Sequence, residues 1–347
     1  MEEICDVLLG QLSAYTKAPC GSNRPLFLLD GTTLNLEHAG ELLQAYPPGS
    51  NQYSEGHWGI LQMVVLHDMN TGIPLRPAWG AMYGAEAVSE QELAVRALER
   101  APAQSVIMGD RNFGIFYYAH AVVKSGREVI VRLTDARAKA LGAGGILPQG
   151  EMPVCWQASR QDRRPHPDLP PEAQVSGRMI AVRQNGFRET LYLFTTLPDP
   201  AENIVALYAR RWSLELDIRS LKRTLGVHHL RGKSRAAAEK ELLIAVVAYG
   251  LVRAFMAVAA WRAGVPPRRL SFTGCYGLLD LMSGKLCSIN PTQRKQAFER
   301  TLAYMAQSKL PQRSKRRAYP RAVWGMPQSL VLSQEAPSQQ QPRNGRQ

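Results

Sequence analysis

Two aspartates, each closing a short apolar run, are the first residues of this sequence whose placement could support catalysis. Residues 25–30 (PLFLLD) end at Asp30, which Gly31 follows, and residues 105–110 (SVIMGD) end at Asp110. Short apolar runs bounded by turn residues are typical of buried strands. We therefore predict that both aspartates end strands of one sheet, where their carboxylates can converge.

A third set of polar residues lies on a predicted helix over residues 200–225. Tyr208, Arg211, Glu215 and Lys222 follow one another at offsets of three, four and seven residues. At about 100° per residue, the four side chains fall within about 60° of one another on the helix. An ordinary ion pair of Arg211 with Glu215, worth about 0.2–0.5 kcal/mol, is the alternative explanation.

A convergence of Asp30, Asp110 and Glu215 would have a clear chemical meaning. Two unit charges about 4 Å apart repel by about 4 kcal/mol at an effective dielectric constant near 20. Divalent cations offset this repulsion, and oxygen-only ligands favour Mg²⁺ or Mn²⁺. Two such ions can clamp a phosphodiester while it is cut. Arg211 and Lys222 would then bind backbone phosphates of the nucleic acid, and Tyr208 would pack beside a sugar or base.

These residues resemble the motifs of the bacterial insertion-sequence transposases of the "IS four" family, which are DDE enzymes with a ribonuclease H-like fold. The family's third-acid motif is Tyr, two residues, Arg, three residues, Glu, six residues and Lys. The segment from Tyr208 to Lys222 matches this motif without a gap. The first acid of the family stands in an Asp-Gly-Thr context, as at Asp30, and the second in an Asp-Arg-small-Phe context, as at Asp110. The resemblance covers most of residues 25–325.

The resemblance implies a reaction, a cofactor and partners. The reaction is metal-dependent cleavage of DNA at transposon ends, followed by attack of the freed 3′-hydroxyl on target DNA. Two Mg²⁺ or Mn²⁺ ions would be held by the three acids. The resemblance also implies that Tyr208, Arg211 and Lys222 contact phosphates near the transposon end. Because two DNA ends must be joined, we expect a dimer on DNA.

The resemblance further implies a β-rich insertion between the second aspartate and the glutamate, which fits the irregular segment at residues 134–190. In some relatives an aromatic residue of the insertion stacks on a flipped base. Trp156 is the candidate here, with Arg163 and Arg164 of a nearby basic run as further DNA contacts. A core tryptophan is the alternative interpretation of Trp156.

The order of the predicted elements favours a ribonuclease H-like α/β fold. Strands at 25–30, 60–68 and 73–79 precede a helix with a Ser89/Glu92 capping box, and then strands alternate with helices. The predicted organisation is a short N-terminal segment (1–24), the first part of the catalytic domain (25–133), a β-rich insertion (134–197), the catalytic helix with a C-terminal helical part (198–328) and a disordered tail (329–347).

The ends of the chain carry two further expectations. Only 29 residues precede Asp30, whereas family members carry a longer segment with helices that recognise the terminal repeats. A truncated, inactive remnant that only binds DNA or a full-length transposase is therefore the alternative function. Near the C-terminus, a basic segment resembles the family's closing segment or is a solvated tail; its residues are Arg313, Lys315, Arg316, Arg317 and Arg321.

Composition supports nucleic acid as the partner. The net charge is +13 among 347 residues, and such a surplus attracts polyanions.

The most apolar stretch, 242–252, is about half the length of a membrane span and is interrupted by Arg253, so we predict a buried helix and no membrane. The sequence has no phosphate-binding Gly-Lys-Ser/Thr loop, so we do not expect it to bind ATP. Five scattered cysteines and no secretory pattern favour the cytoplasm, at the nucleoid.

Two other possibilities are disfavoured. Asp68 also ends a predicted strand, but the turn residues Asn70 and Gly72 after it favour a turn. A glycosidase with paired carboxylates would not need the positive charge that suits phosphates.

Overall fold

One mixed β-sheet runs through the computed structural model of this chain, with helices on both faces. The structure describes residues 1–16, 24–50, 56–142, 149–183, 190–211, 217–286 and 290–311. The strands are β1 (Leu26–Leu36), β2 (Ile60–Asp68), β3 (Ala78–Ala81), β4 (Val106–Gly109), β5 (Glu128–Arg132), β6 (Gly150–Gln157), β7 (Gln174–Arg183), β8 (Thr190–Thr195) and β9 (His229–Leu230). The helices are α1 (Glu2–Tyr15), α2 (Gly40–Ala45), α3 (Glu90–Leu98), α4 (Phe116–Lys124), α5 (Asp135–Leu141), α6 (Arg160–Arg163), α7 (Ala201–Ala209), α8 (Arg235–Arg262), α9 (Phe272–Leu286) and α10 (Pro291–Gln307), with a π-helix at Ser220–Thr224 and a 3₁₀-helix at Pro267–Arg269.

The strand order is β3-β2-β1-β4-β5-β8-β7-β6, with β9 paired to β1. Strands β1, β2 and β3 form an antiparallel meander, whereas β4 and β5 run parallel to β1. Helices α3 and α4 cover one face, and α7 and α8 cover the other. This arrangement confirms the predicted ribonuclease H-like mixed sheet flanked by helices.

The strands of the predicted insertion belong to the same sheet. Strand β8 pairs antiparallel with β5, β7 with β8, and β6 with β7. The segment therefore widens the catalytic sheet at one edge. Residues Met1–Leu310 form one compact unit, and the finer domain boundaries drawn from the sequence stay a prediction.

Strand β1 continues past Asp30, so the predicted turn after this residue is wrong. Its pairing with β2 is regular from Phe27 opposite Asp68 to Asn35 opposite Ile60. Because β2 offers hydrogen-bond partners along this whole length, the Asp-Gly pair stays extended. Side chains alternate between the two faces of a strand. Asp30 therefore shares the face of Leu28, which packs on α7, and of Leu34, which packs on α8.

The predicted continuous helix over 200–225 is also wrong. Helix α7 ends at Ala209, and Arg211 lies in a turn. The described chain continues in helical conformation at 217–219 and then as the π-helix at Ser220–Thr224. Pro200 is the N-cap of α7, and it supplies no side-chain hydrogen bond. A constant 100° per residue therefore does not apply across this segment. Helical periodicity therefore cannot tell whether Tyr208, Arg211 and Lys222 lie on one side, and the position of each residue must be considered separately.

Helix α8 is the core helix that the apolar stretch at 242–252 predicted. It is the only helix of the described ranges long and apolar enough to cross a membrane, but 61% of its most apolar window is buried inside the protein. Helix α1 packs against it, with Cys5 and Leu9 buried. A side chain added at Gly250 would meet Leu9, so this glycine allows the two helices to approach closely.

Trp156 is a core residue, which corrects its prediction as a base-stacking residue. Its side chain is 5% exposed, and its ring contacts Phe194 and Phe116 edge-on at 5.1 and 6.1 Å between centroids. Alternation along β6 turns this residue inward, so the ring has no open face for a base. The burial supports the alternative interpretation of a core tryptophan.

Replacing Trp156 by Ala should lower the free energy of unfolding by about 3–5 kcal/mol, because a large buried ring is lost. Trp58 is 40% exposed, and Trp58→Ala should cost about 1 kcal/mol. Urea denaturation of both variants measures the difference. A cost below about 1 kcal/mol for Trp156→Ala would contradict its core position.

Candidate functional site

Asp30 and Asp110 stand level on neighbouring parallel strands. Leu28 of β1 pairs with Met108 of β4, and each aspartate lies two residues further along its own strand direction. Neighbouring strands lie about 4.8 Å apart. The pairing of β1 with β4 therefore brings the two predicted acids together, although only Asp110 follows the end of its strand.

Backbone hydrogen bonds orient both carboxylates. Asp30 Oδ1 accepts a bond from the N–H of Gly31 at 2.9 Å, and Asp110 Oδ1 accepts one from the N–H of Asn112 at 2.8 Å. Both side chains are half-buried. One oxygen of each carboxylate is thus held by the backbone that follows it.

Glu90, which the sequence analysis missed, is a third carboxylate beside these two. It is the first residue of α3, and its Oε1 occupies the space that a side chain at Gly31 would fill. Asn112 donates a hydrogen bond from Nδ2 to Glu90 Oε2. Burial and then the charges of Asp30 and Asp110 raise the pKa of Glu90 to about 7. The capping box predicted the start of α3, but no local signal predicted its packing on Gly31.

Tyr208 and Lys222 both lie on the face of β1 that carries Asp30. Tyr208 is buried in one cluster with Leu28, and burial raises the pKa of its hydroxyl. Lys222 Nζ donates hydrogen bonds to Thr32 Oγ1 at 3.1 Å and to the carbonyl oxygen of Thr33 at 2.7 Å. Thr32 has the same parity along β1 as Asp30. The two ends of the segment from Tyr208 to Lys222, which we call the signature segment, therefore approach the same face.

Arg211 stays close to Tyr208 despite the break after α7. Its guanidinium carbon lies 5.8 Å from the centre of the Tyr208 ring, and the backbone N–H of Arg211 donates to the backbone carbonyl oxygen of Tyr208. A cation over an aromatic face is a favourable contact. The turn, not a helix stripe, places these two side chains together.

Glu215, the third predicted acid, lies outside the described residues. Among the residues that are described, no three His, Cys, Asp or Glu side chains form a metal-binding group. The donor set at Asp30 and Asp110 nevertheless fits Mg²⁺ or Mn²⁺, because it consists of carboxylate oxygens. The described residues thus contain two of the three acids of the predicted metal centre.

Asp217 anchors the chain just after the predicted third acid, and it too was missed. Its carboxylate is fully buried and pairs with Arg253 of α8 and with Arg268 of the 3₁₀-helix. Burial alone would raise the pKa of Asp217, but the two guanidiniums lower it. An aspartate between Leu216 and Ile218, in an apolar setting, is the sequence signal that could have found it.

The arginines of the insertion follow β6, the edge strand five positions from β1 in the sheet. Arg163 donates to the carbonyl oxygens of Leu169, Pro170 and Pro171 and so holds its own loop, whereas Arg164 is exposed. The predicted closing basic segment at 313–321 lies outside the described residues.

Asp68 caps a turn, as predicted. Its Oδ1 accepts hydrogen bonds from the backbone N–H of Asn70 and Thr71 and from the Thr71 hydroxyl, at 3.0, 2.7 and 2.8 Å. The carboxylate is therefore occupied by the loop that follows β2.

Comparison with known proteins gives three similarities. The model of the family described as Transposase DDE domain matches residues 21–251. The transposase InsG for insertion sequence element IS4, from Escherichia coli (strain K12), is 27% identical over 321 residues, which cover 89% of this chain and 70% of the relative. A cryo-EM structure of a piggyBac transposase synaptic complex with hairpin DNA aligns with a TM-score of 0.43 and 9% identity, over 81% of this chain and 57% of the length of that one.

The raised pKa of Glu90 predicts a pH dependence of stability in the metal-free protein. An acid whose pKa is higher in the folded than in the unfolded state binds more protons when folded, so stability falls as the pH rises from 4.5 to about 7. Glu90→Gln should therefore lose less stability between pH 5 and pH 8 than the unsubstituted protein loses.

Urea denaturation at the two pH values measures this effect. Glu86→Gln removes the same charge from an exposed position and is the matched control. Equal pH dependence in the two variants would contradict the account of Glu90.

Proposed function

Because this chain belongs to the transposase DDE domain family, we propose that it cuts DNA at transposon ends and joins the freed 3′-hydroxyl to target DNA. In this proposal Asp30, Asp110 and Glu215 hold the metal ions. Tyr208, Arg211 and Lys222 bind the DNA backbone near the scissile phosphate.

One observation carries the proposal most directly: Asp30 and Asp110 are level on adjacent parallel strands, on the face that Tyr208 and Lys222 approach. Glu215 lies between Tyr208 and Lys222 in the sequence. Both ends of the segment that contains this glutamate therefore lie over the face that carries the aspartates. This supports the three acids as one centre.

In this proposal the metal ions, the two aspartates and Lys222 have different roles. Two Mg²⁺ or Mn²⁺ ions, when bound, would supply the activation of the attacking oxygen and the neutralisation of developing charge. The backbone bonds to Asp30 and Asp110 would keep one oxygen of each carboxylate fixed and the other directed to the ligand. Lys222, held by Thr32 and Thr33, would place a positive charge beside the first acid for a DNA phosphate.

The reaction proposed implies the partners. The substrate is double-stranded DNA at the transposon ends and at the target, and a surplus of 13 positive charges suits such a polyanion. Joining two ends calls for two active sites, so we propose that two copies act together on DNA. In a bacterium this places the protein in the cytoplasm, at the nucleoid.

Metal-dependent cleavage of duplex DNA tests the assignment. Asp30→Asn, Asp110→Asn and Glu215→Gln should each lower the rate of nicking with Mg²⁺ or Mn²⁺ by about 10³-fold or more, because several kcal/mol of charge stabilisation would be lost. Asp68→Asn is the matched control, since an amide oxygen can accept the same turn hydrogen bonds.

Unchanged cleavage in all three acid variants would refute this assignment. DNA binding by the unsubstituted protein without any cleavage would instead favour a protein that only binds DNA or another transposase.

The salt dependence of DNA binding tests the phosphate contacts. For about six to ten neutralised phosphates, affinity should fall about 10³- to 10⁵-fold between 50 and 200 mM salt. Fluorescence anisotropy with a labelled duplex measures this slope. An affinity that hardly changes with salt would exclude backbone phosphates as the main contacts.

A further inference from the structure

A small cavity lies between the π-helix and the start of α9, away from Asp30 and Asp110. Its volume is about 210 Å³. Arginines, hydroxyls and a single carboxylate dominate its polar lining: Asp217, Arg219, Arg253, Arg268, Ser271 and Thr273. A water molecule takes about 30 Å³ in the liquid, so the cavity has room for a small anion.

The lining carries more positive than negative charge. Arg253 and Arg268 share the one carboxylate of Asp217, and Arg268 Nη1 lies 2.7 Å from Asp217 Oδ2. The side chains of the three residues are 5%, 14% and 0% exposed. Arg219 is exposed and makes no ion pair with any other described residue. The cavity therefore has a surplus of two positive charges, part of it in a poorly solvated setting.

The other hydrogen-bond partners of Arg253 and Arg268 are neutral. Arg253 Nε donates to the Tyr249 hydroxyl at 2.8 Å, and Arg268 donates to the carbonyl oxygen of Met69 and, from Nη2 at 3.0 Å, to that of Asp68. Such bonds orient the guanidiniums without removing their charge. Burying a net charge costs free energy unless an opposite charge is near. A bound anion would lower that cost.

The start of α9 adds to the attraction. Phe272 and Thr273, its first two residues, line the cavity. The first N–H groups of a helix point outward and carry the positive end of its dipole. Guanidiniums, hydroxyls and helix N–H groups together are the donors that proteins use for phosphate.

We propose that this cavity binds a phosphodiester group of the DNA substrate, at a site separate from the catalytic acids. That the phosphate belongs to DNA rests on the proposed function. Arg268 is anchored at Asp68, whereas Asp30 pairs with Val65 three residues along β2. Three strand residues span on the order of 10 Å. The site would therefore engage the DNA backbone a few nucleotides from the cleavage point.

Two variants separate the cavity from the general positive charge of the surface. Thr273→Leu would fill the mouth of the cavity without changing charge, and Arg219→Gln would remove one cation. Both residues are exposed, so the fold should persist. Thr273→Ser keeps the hydroxyl and is the control for the first variant. Arg96→Gln, on the opposite face of the sheet, is the control for the second.

The DNA arm measures binding of a labelled duplex by the full chain across salt concentrations. Thr273→Leu and Arg219→Gln should each reduce the slope of log affinity against log salt by about 0.9, as expected for one lost phosphate contact. The two controls should keep the original slope. An unchanged slope in Thr273→Leu would overturn the proposal, even if Arg219→Gln weakens binding.

The second arm uses inorganic phosphate without DNA, and so it does not depend on transposition. Phosphate should raise the Tm of the unsubstituted protein and of Thr273→Ser, by mass action on the folded state, but not that of Thr273→Leu. Stabilisation by phosphate with normal DNA slopes in both variants would mean that the site binds a free anion, which overturns the DNA assignment. Failure of DNA cleavage with both arms positive would refute the catalytic proposal alone.

Discussion

The parallel pairing of β1 with β4 is the constraint on which the candidate site depends. Backbone hydrogen bonds hold the two strands at a fixed spacing. Asp30 and Asp110 therefore lie side by side despite the repulsion between their carboxylates. At about 5 Å and an effective dielectric constant near 20, two carboxylates repel by about 3 kcal/mol. The same field reaches Glu90 across Gly31 and, added to burial, raises the pKa of its carboxyl. A bound cation would offset the repulsion among these neighbouring carboxylates.

A second constraint is electrostatic, and it acts within the signature segment, at Asp217. Asp217 pairs with arginines from α8 and from the 3₁₀-helix, and Arg268 also bonds the carbonyl oxygens that follow β2. Buried ion pairs seldom add much net stability, because desolvation offsets their attraction. They do specify which groups meet. Here the Asp217 carboxylate links the segment after the third predicted acid to α8 through Arg253, and Arg268 links it to the end of β2.

The parts that the sequence predicted well depend on local signals. Strand β2, the capping box that starts α3 and the turn at Asp68 all agree with expectation, because their causes lie within a few residues. The errors arise where a distant partner decides. Strand β1 passes through Asp30 because β2 lies alongside it, and Trp156 is buried because Phe116 and Phe194 surround it. Glu90 was missed for the same reason, since its contact with Gly31 links residues 59 positions apart.

The shared sheet has a geometric consequence for the segment between the second aspartate and the signature. Neighbouring strands rotate by about 20–25° relative to each other. Five such steps, through β4, β5, β8 and β7, separate β1 from the edge strand β6, so β6 is rotated by on the order of 100° from β1. A straight duplex lying along β1 would therefore cross β6 nearly at right angles. The strands of the widened edge therefore do not continue the direction of the strands that carry the aspartates.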